Sequence, residues 1–251
     1  DLACVALGTD MRSLLEEADV GAEKLAVAPN WAPAGIRALP RGEPSNLRAH
    51  WGLRGRFVVA YSGNLGRVHD LTPVLDLAQA LRDDAVSFIF IGSGAGEADL
   101  RRGAAERRLT NVSFLPPQPR ESLSESLAVA DLHLVTLLPG CERLVFPSKL
   151  YGIAASGRPL LFIGPADCEV ARTVREHDLG FTTTREKVAA AAGEILQLSR
   201  RSDSWERHAA AARAFAATHT AETAVARWTA LLARLSGESP LPAGACPERA
   251  A

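Results

Sequence analysis

From Phe57 onward the chain alternates short, almost wholly apolar runs with longer segments in which apolar residues recur every three or four positions. The runs are Phe57 to Tyr61, Val86 to Ile91, Val112 to Leu115, Asp131 to Leu137, Leu160 to Ile163 and Phe181 to Thr183. Continuous apolar strands separated by amphipathic helices belong to a parallel sheet covered on both faces. The pattern therefore predicts an α/β chain built on a doubly wound, mostly parallel sheet. Beyond residue 185 the strand pattern stops. Two or three alanine-rich helices follow, the last from about Thr220 to Leu235 with Ala224, Trp228, Leu231 and Leu232 on one face. Residues 237 to 251 are rich in Pro, Gly and Ala and are expected to form a disordered tail.

Ahead of this alternation lies a smaller unit. Leu2 to Leu7 reads as a strand, Met11, Leu14, Leu15 and Ala18 fall at helical spacing, and Lys24 to Ala28 reads as a second strand. Pro29-Asn30-Trp31-Ala32-Pro33 breaks that strand, and a Gly-, Pro- and Arg-rich stretch runs on to about Ser45. A domain boundary or hinge is expected there. Two strands and one helix cannot bury their own faces. Residues 1 to 33 are thus expected to be the closing part of one domain, and residues 34 to 236 a second domain with its closing helices.

With 251 residues and 47% hydrophobic content, the chain can bury one large core or two small ones. Its 28 basic and 29 acidic residues nearly cancel, so no nucleic-acid footprint spreads over the whole chain. Cys4, Cys141, Cys168 and Cys246 lie far apart with no CxxC, which speaks against a disulfide framework or a zinc site and fits a reducing compartment. No run approaches the roughly 20 apolar residues of a membrane-crossing helix.

In parallel sheets of this class ligands bind beyond the carboxyl ends of the strands, which directs attention to three loops. Ser62-Gly63-Asn64-Leu65-Gly66-Arg67-Val68-His69-Asp70 offers two glycines for close backbone approach, with Arg67 and His69 placed to meet a phosphate. Gly92-Ser93-Gly94-Ala95-Gly96-Glu97 resembles a dinucleotide turn, but it follows the wrong strand and lacks the acidic residue that would end the next one. The third loop leads into Phe146-Pro147-Ser148-Lys149-Leu150-Tyr151-Gly152, with Gly157 at the far end of the expected helix. Pro147 suits a first helical turn, Ser148 a cap and Gly157 a left-handed stop. Lys149 would bring a mobile charge to an anion there. An ordinary strand-to-helix turn with a solvated lysine fits the same residues. No DxD motif stands at a strand end, since Asp83-Asp84 follows a helix, and His50, His133, His177, His208 and His219 lack partners at useful spacing.

Taken in order, Pro29-Asn30-Trp31, Tyr61-Ser62-Gly63-Asn64-Leu65-Gly66, Ile91-Gly92-Ser93-Gly94, Ala130-Asp131 and Pro147-Ser148-Lys149-Leu150-Tyr151-Gly152 with Ser156-Gly157-Arg158-Pro159 resemble the C-terminal half of a bacterial retaining glycosyltransferase. The resemblance is to the GT-B, group 1 type of capsule, colanic-acid and O-antigen synthesis, and covers about residues 1 to 236. It implies a Rossmann-like domain that binds a nucleotide sugar, usually a UDP-sugar, with no metal and no cofactor. A separate N-terminal domain, or another chain in its place, would hold the acceptor. A lipid-linked acceptor would bring a cytoplasmic enzyme to the inner face of the plasma membrane.

The resemblance also implies roles. Asn64 and His69 stand where the wider superfamily places an arginine and a lysine on the donor diphosphate, which makes Arg67 the substitute charge and Arg67 and Lys149 the catalytic pair. The superfamily's spaced pair of glutamates falls on Leu144 and Gly152, so the pair is missing and Glu142 is the nearest carboxylate. Gly92 and Gly94 would line the nucleotide, Gln118 would lie near the base, and Gly63, Gly66, Pro147, Ser148 and Tyr151 would complete the substrate-binding set. Trp31 would be a packing anchor. A nucleotide-sugar epimerase of the same fold and a non-catalytic nucleotide-sugar-binding module are the competing readings.

Overall fold

The computed structural model describes residues 3–41 and 46–236. The tail expected at 237 to 251 lies outside the described residues. Strands β1 (Cys4–Ala6) and β2 (Leu25–Val27) pair in parallel, with helix α1 (Thr9–Glu17) crossing between them. After the short helix α2 (Asn46–His50) come β3 (Phe57–Ser62), α3 (Thr72–Ala80), β4 (Val86–Ile91), α4 (Glu97–Glu106), β5 (Val112–Leu115), α5 (Leu123–Ala128), β6 (Leu132–Thr136), α6 (Lys149–Ala155), β7 (Leu160–Ile163), α7 (Glu169–Glu176) and β8 (Gly180–Thr183). Helices α8 (Ala191–Arg200), α9 (Ser202–Thr218) and α10 (Ala221–Ser236) complete the described chain.

Strands β3 to β8 form one sheet in the order β5-β4-β3-β6-β7-β8, every neighbouring pair parallel. The chain winds outward from β3 in one direction and from β6 in the other, so the order reverses between β3 and β6. Alternate residues feed two cores. Phe57, Val59 and Tyr61 of β3 pack on one side with Val74, Leu77, Phe88 and Phe90, while Val58 and Ala60 face Ile89, Ile91 and Leu53 on the other. On the second half of the sheet, Val135, Leu160 and Phe162 meet Leu150, Ile153 and Phe215. Such period-2 sorting of strands with no polar face requires helices on both sides.

Strand β6 begins one residue later than its apolar run suggests. Asp131 stays outside the ladder because its carboxylate takes the Val58 amide at 2.8 Å and ion pairs with Arg48 at 2.7 Å and Arg41 at 3.2 Å. Its carbonyl accepts the buried Trp205 indole N–H at 2.7 Å. This cluster fastens the base of the sheet to α9 and to the segment that leads into it. At the opposite, carboxyl end the strands release the loops that matter for function.

The β1–α1–β2 unit docks on α7 through charged groups. Asp10 accepts the Glu169 amide at 2.6 Å, Glu169 accepts the Asp10 amide at 3.1 Å, and Arg172 pairs with Asp10. Helix α10 buries Ala224 and Ala233 but leaves Val225, Trp228 and Leu232 exposed by 63%, 37% and 59%. The apolar face foreseen for this helix is therefore only partly covered.

Candidate functional site

A cleft of about 480 Å³ opens at the carboxyl ends of β3 and β6, where the strand order reverses. Ser62, Gly63, Asn64 and His69 from the loop after β3 form one wall, and Pro147, Ser148 and Lys149 at the start of α6 form the other. A second hollow of about 400 Å³ shares Ser62, Gly63 and Asn64 and continues toward Gly92, Ser93, Pro117 and Gln118. The crevice at a topological switch point is where open parallel sheets bind ligands.

Lys149 dominates the first hollow. Its Nζ lies over the Tyr61 ring of β3, 3.6 Å from the ring centre. It is also 3.6 Å from where a Cβ on Gly63 would stand, an ordinary van der Waals contact, so the ammonium packs against the glycine loop. Among the described residues Nζ is buried and makes no hydrogen bond. Burial pulls its pKa from the ordinary lysine range down to about 7. The ring face offsets only part of this: a cation over an aromatic contributes about 2 kcal/mol at best, whereas desolvating a buried ion costs several.

His69 also packs on Tyr61, the two rings edge to face at a centroid distance of 5.8 Å. Nδ1–H donates to the Thr136 carbonyl at 2.8 Å, which fixes the tautomer and leaves Nε2 as the accepting nitrogen. Burial first and the Lys149 charge second lower its pKa, against a smaller upward pull from the Thr136 bond. Tyr61 donates its hydroxyl to the Asn64 carbonyl at 2.8 Å and so holds the loop's bend. Burial raises its pKa well beyond the ordinary phenol range, so the ring carries no charge.

The two glycine loops are laced together. Gly63 N–H bonds Ile91 at 2.9 Å and Leu65 N–H bonds Ser93 at 3.0 Å. Gly92 has φ +139°, and a Cβ there would lie 2.1 Å from the Gly63 carbonyl oxygen. A Cβ on Gly94 would meet the Leu65 carbonyl at 2.6 Å. These glycines thus serve loop-to-loop contact first, with Gly92 also lining the second hollow. Gln118 lies in that hollow, its amide turned onto the Pro116 carbonyl at 2.8 Å.

Arg67, Gly66, Glu142 and Tyr151 stand outside the cleft lining. Arg67 occupies the tip of a turn closed by the His69 amide on the Gly66 carbonyl at 3.2 Å, which sends its side chain to solvent while His69 returns to the sheet. Gly66 faces a separate hollow beside α3 and α4. Glu142 folds back onto the Gly140 amide at 2.5 Å. Tyr151 is 2% exposed and stacks on Phe215, because residues two apart on a helix cannot share the face from which Lys149 reaches the cleft. Pro147 precedes α6, which starts at Lys149, and Ser148 holds the cap position without a side-chain cap bond. Gly157 ends the helix at φ +65° as read from the sequence.

The cleft also has an apolar lip, which none of the motifs marks out. Trp31 is 41% exposed and lines it with Pro33 and Ile36, so it is a wall of the cleft more than a packing anchor. A large aromatic between two prolines was the available signal. Thr136, whose carbonyl orients His69, carried none, since it reads as one more strand residue.

No family model matches the chain. It is 32% identical over 171 residues to the putative colanic acid biosynthesis glycosyl transferase WcaI of Escherichia coli K12, covering 66% of this chain and 42% of that protein. It is 28% identical over 179 residues to the probable glycosyltransferase WbjE of Pseudomonas aeruginosa, covering 70% and 44%. The chain thus spans less than half of either curated relative. In fold it is similar to Anabaena HepE, solved with UDP-glucose, at a TM-score of 0.76 and 21% identity over 94% of this chain and 64% of that one. It is likewise similar to WaaG, a glycosyltransferase of lipopolysaccharide biosynthesis, at 0.70 and 17% over 85% and 58%. In sequence the chain is thus similar to part of two bacterial glycosyltransferases, and it has the Rossmann-like α/β fold of HepE and WaaG.

Proposed function

We propose that this chain binds the donor of a glycosyltransferase that moves a sugar from a nucleotide sugar, a UDP-sugar, to a saccharide or lipid-linked acceptor in cell-surface polysaccharide synthesis. The observation that carries the reading is Lys149, a buried cation with no hydrogen-bond acceptor, standing at the switch point between two glycine-bearing loops. HepE, whose fold the chain shares, was solved with UDP-glucose, and both curated relatives are named as glycosyltransferases. The diphosphate would lie against Lys149 and His69, and the nucleoside would extend into the hollow at Gly92 and Gln118.

In the reaction the bond between the sugar carbon and the diphosphate oxygen breaks, and negative charge grows on that oxygen. A fixed cation in a desolvated site stabilises this charge, and removing one such group typically costs about 3 kcal/mol of barrier, roughly 100-fold in rate. We assign this role to Lys149, with the ammonium taking the place of a metal ion and the sugar keeping its anomeric configuration. Arg67, exposed at the loop tip, adds only long-range attraction.

An acceptor-binding domain, in the same polypeptide or another, would close over the donor. A lipid-linked acceptor would bring the enzyme to the cytoplasmic face of the membrane, and among the described residues no helix is long and apolar enough to cross it. The 251-residue chain alone is expected to bind donor and to transfer no sugar. Calorimetric titration with UDP, GDP and TDP in the presence of EDTA tests the donor assignment. Binding of UDP ahead of the other two, unchanged by the chelator, is expected, and binding that EDTA abolishes would refute the metal-free reading.

A further inference from the structure

Lys149 is built as a conditional charge. Its Nζ is buried, lies on the face of Tyr61, and finds no hydrogen-bond acceptor among the described residues. The groups packed around it supply no counter-charge. Tyr61 on β3 presents an uncharged ring. His69, on the loop after β3, has its Nδ1 proton committed to the Thr136 carbonyl, and any charge it gained would repel the ammonium. His133, inside β6, is fully buried and held neutral, its pKa down to about 4 chiefly by burial. The two carboxylates of the flanking loops are engaged elsewhere, Asp70 with Arg185 and Glu142 with the Gly140 amide.

A diphosphate reverses these terms. Its oxygens would give the ammonium the acceptors it lacks, and opposite charge within about 4 to 6 Å favours the charged form. We propose that binding of a diphosphate in this cleft is coupled to uptake of a proton by Lys149. The inference rests on the donor-site reading above and adds its regulation: the site gathers its full positive charge only when the anion is present. Donor affinity then falls as pH rises past neutrality.

The sign follows from linkage. The bound chain holds more protons than the chain alone wherever the pH exceeds the pKa of Lys149 in the chain alone, near 7. Affinity for the diphosphate therefore drops by up to tenfold per pH unit above about 7, until the pH reaches the raised pKa of the bound state.

The test is calorimetric titration of the full chain with UDP near pH 8, in buffers of contrasting ionisation enthalpy. A terminal phosphate titrates near 6, so UDP has almost no proton of its own to exchange there. Uptake of about 0.9 proton per UDP is expected from a lysine that titrates near 7 in the chain alone. Uridine should bind without uptake. Lys149→Arg, whose charge is permanent, should still bind UDP and take up no proton. Lys149→Met should lose both the uptake and most of the preference for UDP over uridine. UDP binding whose heat is independent of the buffer, or the same uptake in Lys149→Arg, would overturn the coupling while leaving the donor site intact. No UDP binding in any buffer would overturn the donor site and the coupling with it.

Discussion

The Lys149 ammonium lies over the Tyr61 ring at 3.6 Å and has no hydrogen-bond acceptor, so the chain carries a charge there that weakens its own fold. Lys149→Met keeps the bulk of the stem and removes the charge. It is expected to stabilise the chain toward urea at pH 6 to 7 while weakening diphosphate binding. The sign is set by the depressed pKa, about 7 folded against 10.5 as the ordinary value. Between those limits the unfolded chain binds more protons, so wild-type stability from this group rises with pH by up to about 1.4 kcal/mol per unit. The variant should lack that rise. Equal slopes in urea melts from pH 7 to 10 would contradict the burial of the charge.

Gly92→Ala places a methyl carbon 2.1 Å from the Gly63 carbonyl oxygen and forces a side chain onto φ +139°. Backbone strain alone costs about 1 to 3 kcal/mol. The variant is expected to lose at least that in urea unfolding and to bind UDP more weakly, since the displaced loop carries Gly63 and Asn64. Unchanged stability would show that the two loops are not in contact.

Asp10 and Glu169 cap each other's helices, each accepting the other's backbone N–H. Loss of one cap costs about 1 kcal/mol. Asp10→Ala should speed hydrogen exchange at the Glu169 amide and loosen the β1–α1–β2 unit from α7. Partners in one network couple by about 0.5 to 3 kcal/mol. Additive single and double variants of this pair would refute the mutual cap.

Much of this was legible in the chain. The six strands stand out because a sheet buried on both faces leaves no polar residue in Val58-Val59-Ala60 or Phe88-Ile89-Phe90, and turns rich in glycine separate them. Lys149 and His69 could be placed at strand ends for the same reason. What the chain could not show was rotation about local axes. Nothing in Gly66-Arg67-Val68-His69 says which basic side chain returns to the sheet, because that depends on the Thr136 carbonyl. Tyr151 shares a motif with Lys149 yet faces α9, a consequence of the helical period and not of the motif. Asp131 opened its apolar run as an apparent strand residue because its arginine partners lie far away in sequence.

Val225, Trp228 and Leu232 leave an apolar strip along α10 open to solvent. Contiguous exposed apolar surface promotes association. Sedimentation of the 251-residue chain is expected to show concentration-dependent self-association, reduced by Leu232→Glu with no change in UDP affinity. A strictly monomeric chain at high concentration would contradict this.

The ratio of UDP to uridine affinity in the wild type, Lys149→Ala and Arg67→Ala, measured by calorimetry near pH 7, tests most directly whether the diphosphate lies at Lys149. Charge-assisted hydrogen bonds contribute about 1.5 to 3 kcal/mol. Lys149→Ala should therefore cut the ratio roughly 10- to 100-fold with uridine binding unchanged, while exposed Arg67→Ala lowers it only a few-fold. An equal loss for UDP and uridine in Lys149→Ala, or no loss for either, would show that the diphosphate does not lie at the switch point.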